Sequence, residues 1–280
     1  MGISTSTYYY RPKISRAERD KRDADLRDKI EHVQIEYSCY GYRTIKHQLE
    51  RAYGLVVNAK KLLRIMRKHN LFRHIKRGFI KTTDSNHNHP VYPNLIKGKE
   101  ITDINQVYVS DITYIRILTG FVFLAVVLDV FSRRVIGWAL SKRIDHTLTL
   151  EALKMAIELR KPEPGVIHHS DRGVQYACKE YVGELINNGF QISMSSKGNP
   201  YHNAFAESFM KTIKNEEVYL WEYESFTDVI DSVPRFIEDV YNRKRVHSGI
   251  KYLPPIEFEA MLKNNECKKE LGQVILKISN

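Results

Sequence analysis

The chain predicts an α/β fold: a mixed five-stranded sheet flanked by helices, with a small all-α region ahead of it. Three observations carry the expectation. Residues 107–141 hold three consecutive runs rich in β-branched and aromatic residues, with Thr119-Gly120 as a turn between the first two. Residues 145–194 then alternate helix-like with strand-like stretches. Before residue 84, apolar residues recur at helical spacing and glycines punctuate them.

Taken in order, residues 15–37 read as a charged helix with Leu26, Ile30, Val33 and Tyr37 on one face. Gly41 and Gly54 bracket a second helix containing Ile45 and Leu49. Asn58 suits the N-cap of a third, whose inner side includes Leu62, Leu63 and Met66. Helix, glycine-containing turn, helix outlines a helix-turn-helix. Residues 83–99 contain two prolines and three asparagines without periodicity, and read as a linker. Strands are expected at 107–117, 121–132 and 133–141, a helix at 145–161, a strand at 166–169, a helix at 179–188 and a strand at 190–194. A helix from about Asn203 carries Glu207, another spans 226–242, Pro254-Pro255 closes the ordered core, and 264–280 is a polar tail. This order is that of a ribonuclease H-like fold. The expected extents are 1–83 for the helical region, 84–100 for the linker, 101–262 for the core and 263–280 for the tail.

Composition narrows the partners. A chain of 280 residues that is 42% hydrophobic and 28% charged supports a packed core. A net charge of +11 implies a polyanion, and nucleic acid is favoured over membrane because no basic amphipathic anchor stands out. The longest apolar run, 121–128, is too short to cross a bilayer. No apolar signal segment opens the sequence, and Cys39, Cys178 and Cys267 are odd in number and far apart, which suits a reducing cytoplasm. From Lys60 to Lys81 nine basic residues occur with no acid before Asp84. A helix bearing Lys60, Lys61, Arg64, Arg67 and Lys68 suits DNA phosphates along a major groove, the bland alternative being a solvated face.

Three carboxylates carry the chemistry. Asp111 lies in VYVSDITYI, Asp171 closes GVIHHSD before a turn-forming Arg-Gly, and Glu207 sits in the helical NPYHNAFAESFMKTIKNE, with 35 residues between the last two. A strand, a strand end and a helix each supplying one hard oxygen suit two divalent cations and a phosphodiester. Taken singly, each acid is better explained in structural terms: Asp111 as an edge-strand charge, Asp171 as a turn former and Glu207 as a solvated helix charge; the spacing and flanking motifs together favour catalysis. Crowded carboxylates repel, so an empty site should be strained or partly protonated. Asn203 and Lys214 share the face of Glu207, where Asn203 suits DNA or the glutamate and Lys214 a phosphate. Arg172, Gln175 and Tyr176 follow Asp171 on an expected loop and either position a DNA strand or cap the next helix. His169 reads as a packed strand residue. His74-x-x-Arg77 lacks the surroundings of a tyrosine-recombinase signature, and His87-x-His89 has no following Cys-x-x-Cys, so neither is assigned a site.

At SDITYI, LAVVLDVFSRRVIGW, HSDRGVQY, SSKGNPYHNAFAESFMKTIKNE and YNRKRVHSGI, in that order, the chain resembles the OrfB transposases of the insertion-sequence-three family, relatives of the retroviral integrase core. The resemblance implies that Asp111, Asp171 and Glu207 hold two Mg2+ ions, with Mn2+ able to substitute, for strand cleavage and strand transfer. It implies double-stranded DNA partners (terminal inverted repeats and target), a homo-oligomer in a synaptic complex, an upstream OrfA product as a further partner, no membrane, and a nucleoid-associated place in a bacterial cytoplasm. The chain lacks OrfA-type heptads and so reads as the downstream product alone or a truncated fusion. Asn242, Arg243, Arg245 and His247 resemble the family's YN-x-x-R-x-H element, which either contacts DNA or the metal shell or docks its helix. Two departures stand out: His202 where the family usually has Asp, and Tyr108 where it usually has Trp. His202 gives the alternative reading its support: a catalytically silent DNA-binding regulator or decayed copy. A structure-selective nuclease is the third.

Overall fold

Apolar spacing builds the N-terminal helices. The computed structural model describes residues 16–37, 39–72, 90–195, 204–264 and 276–278. The chain divides into two units, Met1–Ile75 and Lys76–Asn280. In the first, α1 (Arg16–Glu36), α2 (Tyr42–Tyr53) and α3 (Ala59–Lys68) bury Leu26, Ile30 and Val33 with Ile45, Leu49, Leu62 and Met66. Ile65 is fully buried on α3, whereas Leu63 is only half-buried. Asn58 caps α3 by accepting the Lys60 N–H at 2.8 Å. Gly54 ends α2 at φ 64°, a left-handed turn that costs a glycine nothing.

The second unit is built on a five-stranded mixed sheet of order β4-β3-β2-β5-β6. Its strands are β2 (Val107–Ile117), β3 (Gly120–Asp129), β4 (Val135–Ser141), β5 (Ile167–Ser170) and β6 (Gln191–Met194). The first three pair antiparallel, and β5 and β6 join in parallel. The β3 strand stops at Asp129, earlier than expected. The Asp129 carboxylate accepts the N–H groups of Phe131 and Asn105 at 2.9 and 2.7 Å, which turns the chain before β4.

Alternation along β3 splits the core in two, because successive side chains face opposite sides. Val122, Leu124, Val126 and Leu128 pack with α7 (Ala204–Glu216) and with α8 (Phe226–Arg235) and its continuation. Ala125 and Val127 pack with α4 (His146–Arg160) and α6 (Lys179–Asn187) on the other side. The α4 helix lies directly on Gly137, where a Cβ would fall 2.1 Å from the Ala152 carbonyl oxygen. Asp145 caps α4 through Thr147 and Leu148.

Four expectations change. The helix expected over 226–242 is α8 followed by a π-helical turn, Phe236–Asn242, because Pro234 lacks the N–H that the regular ladder needs. Pro254-Pro255 does not close the core: Pro255 occupies the first position of α9 (Pro255–Lys263), where its missing N–H is harmless, and Phe258 and Glu259 are buried. Residues 276–278 are not simply polar tail. β7 (Leu276–Lys277) pairs with β1 (Glu100–Ile101), and Ile278 is buried. Finally, Gln175 and Tyr176 lie not on a loop but on the short helix α5 (Val174–Ala177). No helix of the described residues is long and apolar enough to cross a membrane.

Candidate active site

Parallel pairing brings the segments that carry the two aspartates together. Val107, Tyr108 and Val109 of β2 pair with Ile167, His168 and His169 of β5. Asp111 lies two residues beyond Val109 on β2, and Asp171 directly follows the end of β5 at Ser170. The Asp171 carboxylate accepts the Gly173 N–H at 2.9 Å, which fixes the turn at the strand end. Glu207 comes from the first turn of α7, whose Ala206, Phe209, Met210 and Ile213 are buried against the sheet while Glu207 keeps exposed surface.

The electrostatics couple the three. Burial pushes the Asp111 carboxyl up to about 8, and the charges of Asp171 and Glu207 add to the rise, while the Ile112 N–H and Lys214 oppose it. The Ile112 N–H reaches Asp111 at 2.8 Å. Asp111 keeps part of its surface open, so an ion can reach it. Burial also raises the Glu207 carboxyl above its usual range. Lys214 is the nearby cation: its ammonium lies 4.4 Å from the centre of the Tyr114 ring, burial lowers its pKa, and Asp111 pulls the other way. Among the described residues no three His, Cys, Asp or Glu side chains stand close enough to form a finished metal shell. The donor set nevertheless fits a hard divalent cation: three carboxylate groups within electrostatic reach, one of them raised chiefly by burial with its two acidic neighbours adding to the rise.

Of two buried groups near the aspartates, Tyr176 carries the expectation of positioning a DNA strand or capping the next helix, and His168 had no sequence signal. Tyr176 is buried, its hydroxyl has no hydrogen-bond partner among the described residues, and burial with the charges of Tyr181, Asp111 and Asp171 raises its pKa well above the usual value. The Nε2 of His168 is shared between the Ser110 hydroxyl at 2.8 Å and the Tyr181 hydroxyl at 2.9 Å, and burial drives its pKa down to about 3. His169 is fully buried against Ser193 at 2.8 Å, a packed strand residue as expected. Tyr108 is buried too, with its hydroxyl on Asn105 at 2.7 Å, so the tyrosine is accommodated where the family usually has Trp.

The remaining residues divide. Arg172 is half-buried and donates through Nε to the Ser195 carbonyl at 2.9 Å. Gln175 is half-buried on α5. Asn242 is buried and clamps the Val135 backbone through both its donor and its acceptor, which docks its helical turn on β4. On α3, Lys60, Arg67 and Lys68 are exposed, while Lys61 and Arg64 pair with the buried Asp23 at 3.4 and 2.6 Å. Asn203, His202, His74, Arg77, His87 and His89 lie outside the described residues.

The chain is similar to known proteins over most of its length. Residues 102–200 and 188–255 match integrase core domain families, and residues 20–79 match an HTH-like domain family. An uncharacterized 31 kDa protein of insertion element IS600 from Shigella sonnei is 36% identical over 260 residues, 92% of this chain and 95% of that protein. The transposase of insertion sequence element IS904 from Lactococcus lactis is 36% identical over 251 residues, 89% of this chain and 97% of its own. The InsF transposase of IS3A from Escherichia coli is 37% identical over 221 residues, 79% of this chain and 76% of its own. With an integrase core, an HTH-like domain and this identity over most of its length, the chain belongs to the IS3 family of DNA transposases, which are polynucleotidyl transferases.

Proposed function

We propose that the chain cleaves DNA at the ends of its own element and joins the freed 3′-hydroxyl to a second phosphodiester, with Asp111, Asp171 and Glu207 holding two Mg2+ ions. The carrying observation is the grouping of Asp171 and Glu207 around Asp111, whose carboxyl is raised to about 8 chiefly by burial, with those two acids adding to the rise. A fold keeps such an arrangement where a cation is to relieve it. Bound there, the ions supply Lewis-acid polarisation of the phosphate and stabilisation of the leaving oxygen, with Mn2+ a workable substitute. Asp111 and Asp171 offer their oxygens from adjacent strands, and Glu207 closes the site from α7. Lys214, seven residues after Glu207 on the same helix face, offers a phosphate contact. Arg172 and Gln175, which follow Asp171 in the chain, and Asn203, four residues before Glu207 in sequence, are assigned to DNA positioning.

In the helical region, Lys60, Arg67 and Lys68 are the better-placed phosphate contacts. Lys61 and Arg64 are shared with Asp23. Region 1–83 is assigned to DNA contact and 101–262 to catalysis. Two element ends must be held together, which calls for a homo-oligomer, and an OrfA product is a fitting partner.

The test is nicking of a duplex carrying the inverted repeat that flanks the gene, in Mg2+, by the intact chain and by Asp171→Ala. The variant should bind the duplex and leave it uncut. Nicking at the parent rate by Asp171→Ala would end this reading, and cutting without strand transfer would make the chain a nuclease.

A further inference from the structure

Beside α7, on the turn after β3, Arg133 is half-buried with its guanidinium 4.2 Å from the centre of the Phe205 ring, two residues from Glu207. Its backbone sits at φ 63°, a conformation strained for any residue with a side chain and far cheaper for Gly or Asn. No carboxylate pairs with it among the described residues, and its buried Nε–H has no acceptor. A second donor close by is in the same position. Arg245 is engaged with Glu216 through Nε at 2.8 Å and Nη2 at 2.7 Å, and its Nη1 reaches His247 Nδ1 at 3.2 Å. A guanidinium can only donate, so Nδ1 accepts and the proton of the neutral ring sits on Nε2. Burial, then the Arg245 and Arg133 cations, hold this imidazole neutral. His247 Nε2 is buried and has no hydrogen-bond partner among the described residues.

Gly249, two residues after His247, is exposed and lies beside the guanidinium with no side chain of its own over it. A Cβ there would stand 3.3 Å from Arg133 Nη2. Two buried N–H donors without acceptors, around a cation with no counter-charge, call for an anionic oxygen.

We infer that Arg133 and His247 form an acceptor site for a phosphodiester oxygen of the DNA strand that runs past the α7 end of the core. A bidentate guanidinium suits phosphate better than a lysine would. The inference rests on DNA being the substrate and on α7 facing it. It does not depend on which residues hold metal.

The experiment measures binding of the intact chain to the inverted-repeat duplex over a range of salt concentrations, without cutting. Arg133→Gln should melt as the parent does and should flatten the slope of log affinity against log salt by about 0.9, the loss of one phosphate contact. A parent slope in the folded Gln variant would overturn the inference and leave the stacking on Phe205 as the whole role. Should that variant fail to fold, Gly249→Ala, at an exposed position, decides: weaker binding supports the site and parent affinity overturns it. The two proposals fail separately. Nicking by Asp171→Ala would sink the metal reading and leave this slope untouched, whereas a parent slope in Arg133→Gln would leave the carboxylate site standing.

Discussion

Two carboxylates of the core meet opposite treatment. Burial pushes Glu259 upward, but Arg160 donates to both its oxygens and Arg134 reaches it at 2.7 Å, so its carboxyl ends below the usual range. Asp111 has no such arginine among the described residues: burial and two neighbouring acids raise its carboxyl to about 8, and Lys214 and the Ile112 N–H only partly oppose the rise. The first carboxylate is compensated within the fold and ties α9 to β4 and α4. The second is only partly compensated, which costs stability in the free chain and makes sense where a partner brings the opposite charge. The same contrast runs through the N-terminal unit, where Asp23 is neutralised by Lys61 and Arg64 while Lys60, Arg67 and Lys68 stay exposed.

The largest effect expected from this contrast is at the compensated end. Glu259→Gln strands two arginines and should lower unfolding free energy in denaturant by about 3–5 kcal/mol. A loss under about 1 kcal/mol would erase the distinction between the two clusters. Next, Asp171→Ala should reduce nicking by roughly 10²–10³-fold or more while its melting temperature stays level or rises, since it relieves repulsion. A variant that melts well below the parent would show that Asp171 is structural.

A third expectation sharpens the sign. The folded pKa of Asp111 lies above its unfolded value of 3.8, so the folded chain binds the extra proton. Its contribution therefore becomes more unfavourable as pH rises from about 4 to about 8, and levels off above that. Asp111→Asn should raise the melting temperature of the metal-free chain more at pH 8 than at pH 5, by a few degrees. Equal shifts at both values would mean that Asp111 is not repelled. The smallest effect lies on α3: Arg67→Ala or Lys68→Ala should flatten the salt dependence of DNA binding by about one unit each, with stability unchanged. Arg64→Ala should chiefly destabilise the helices by freeing Asp23, and the reverse pattern would invert the roles.

How legible this was in the sequence depended on range. The strands of residues 107–141 show in a local alternation, and α4 in its apolar spacing. The carboxylates showed through flanking motifs that repeat in a known family, although nothing local says that Asp111 and Asp171 become neighbours. That follows from the β2–β5 register. What escaped is non-local or read against its context. The Glu259 pairs join residues 125 and 99 positions apart. The short β1–β7 pairing has no periodicity to read, and Pro254-Pro255 looked like an end because a proline that begins a helix and one that follows it look alike in sequence. Tyr176 was legible as a neighbour of Asp171 but not as a buried one, and His168 was not legible as a site neighbour at all, because burial of a polar group leaves no mark in its own residue type.

The account turns on whether the carboxylates of Asp111, Asp171 and Glu207 share a pair of divalent ions. The most direct measurement is anomalous scattering from crystals of the intact chain bound to its end duplex and soaked in Mn2+. The account predicts two peaks about 3.5–4 Å apart, ligated by those three residues. Manganese bound elsewhere, in crystals that still cut the duplex, would contradict it.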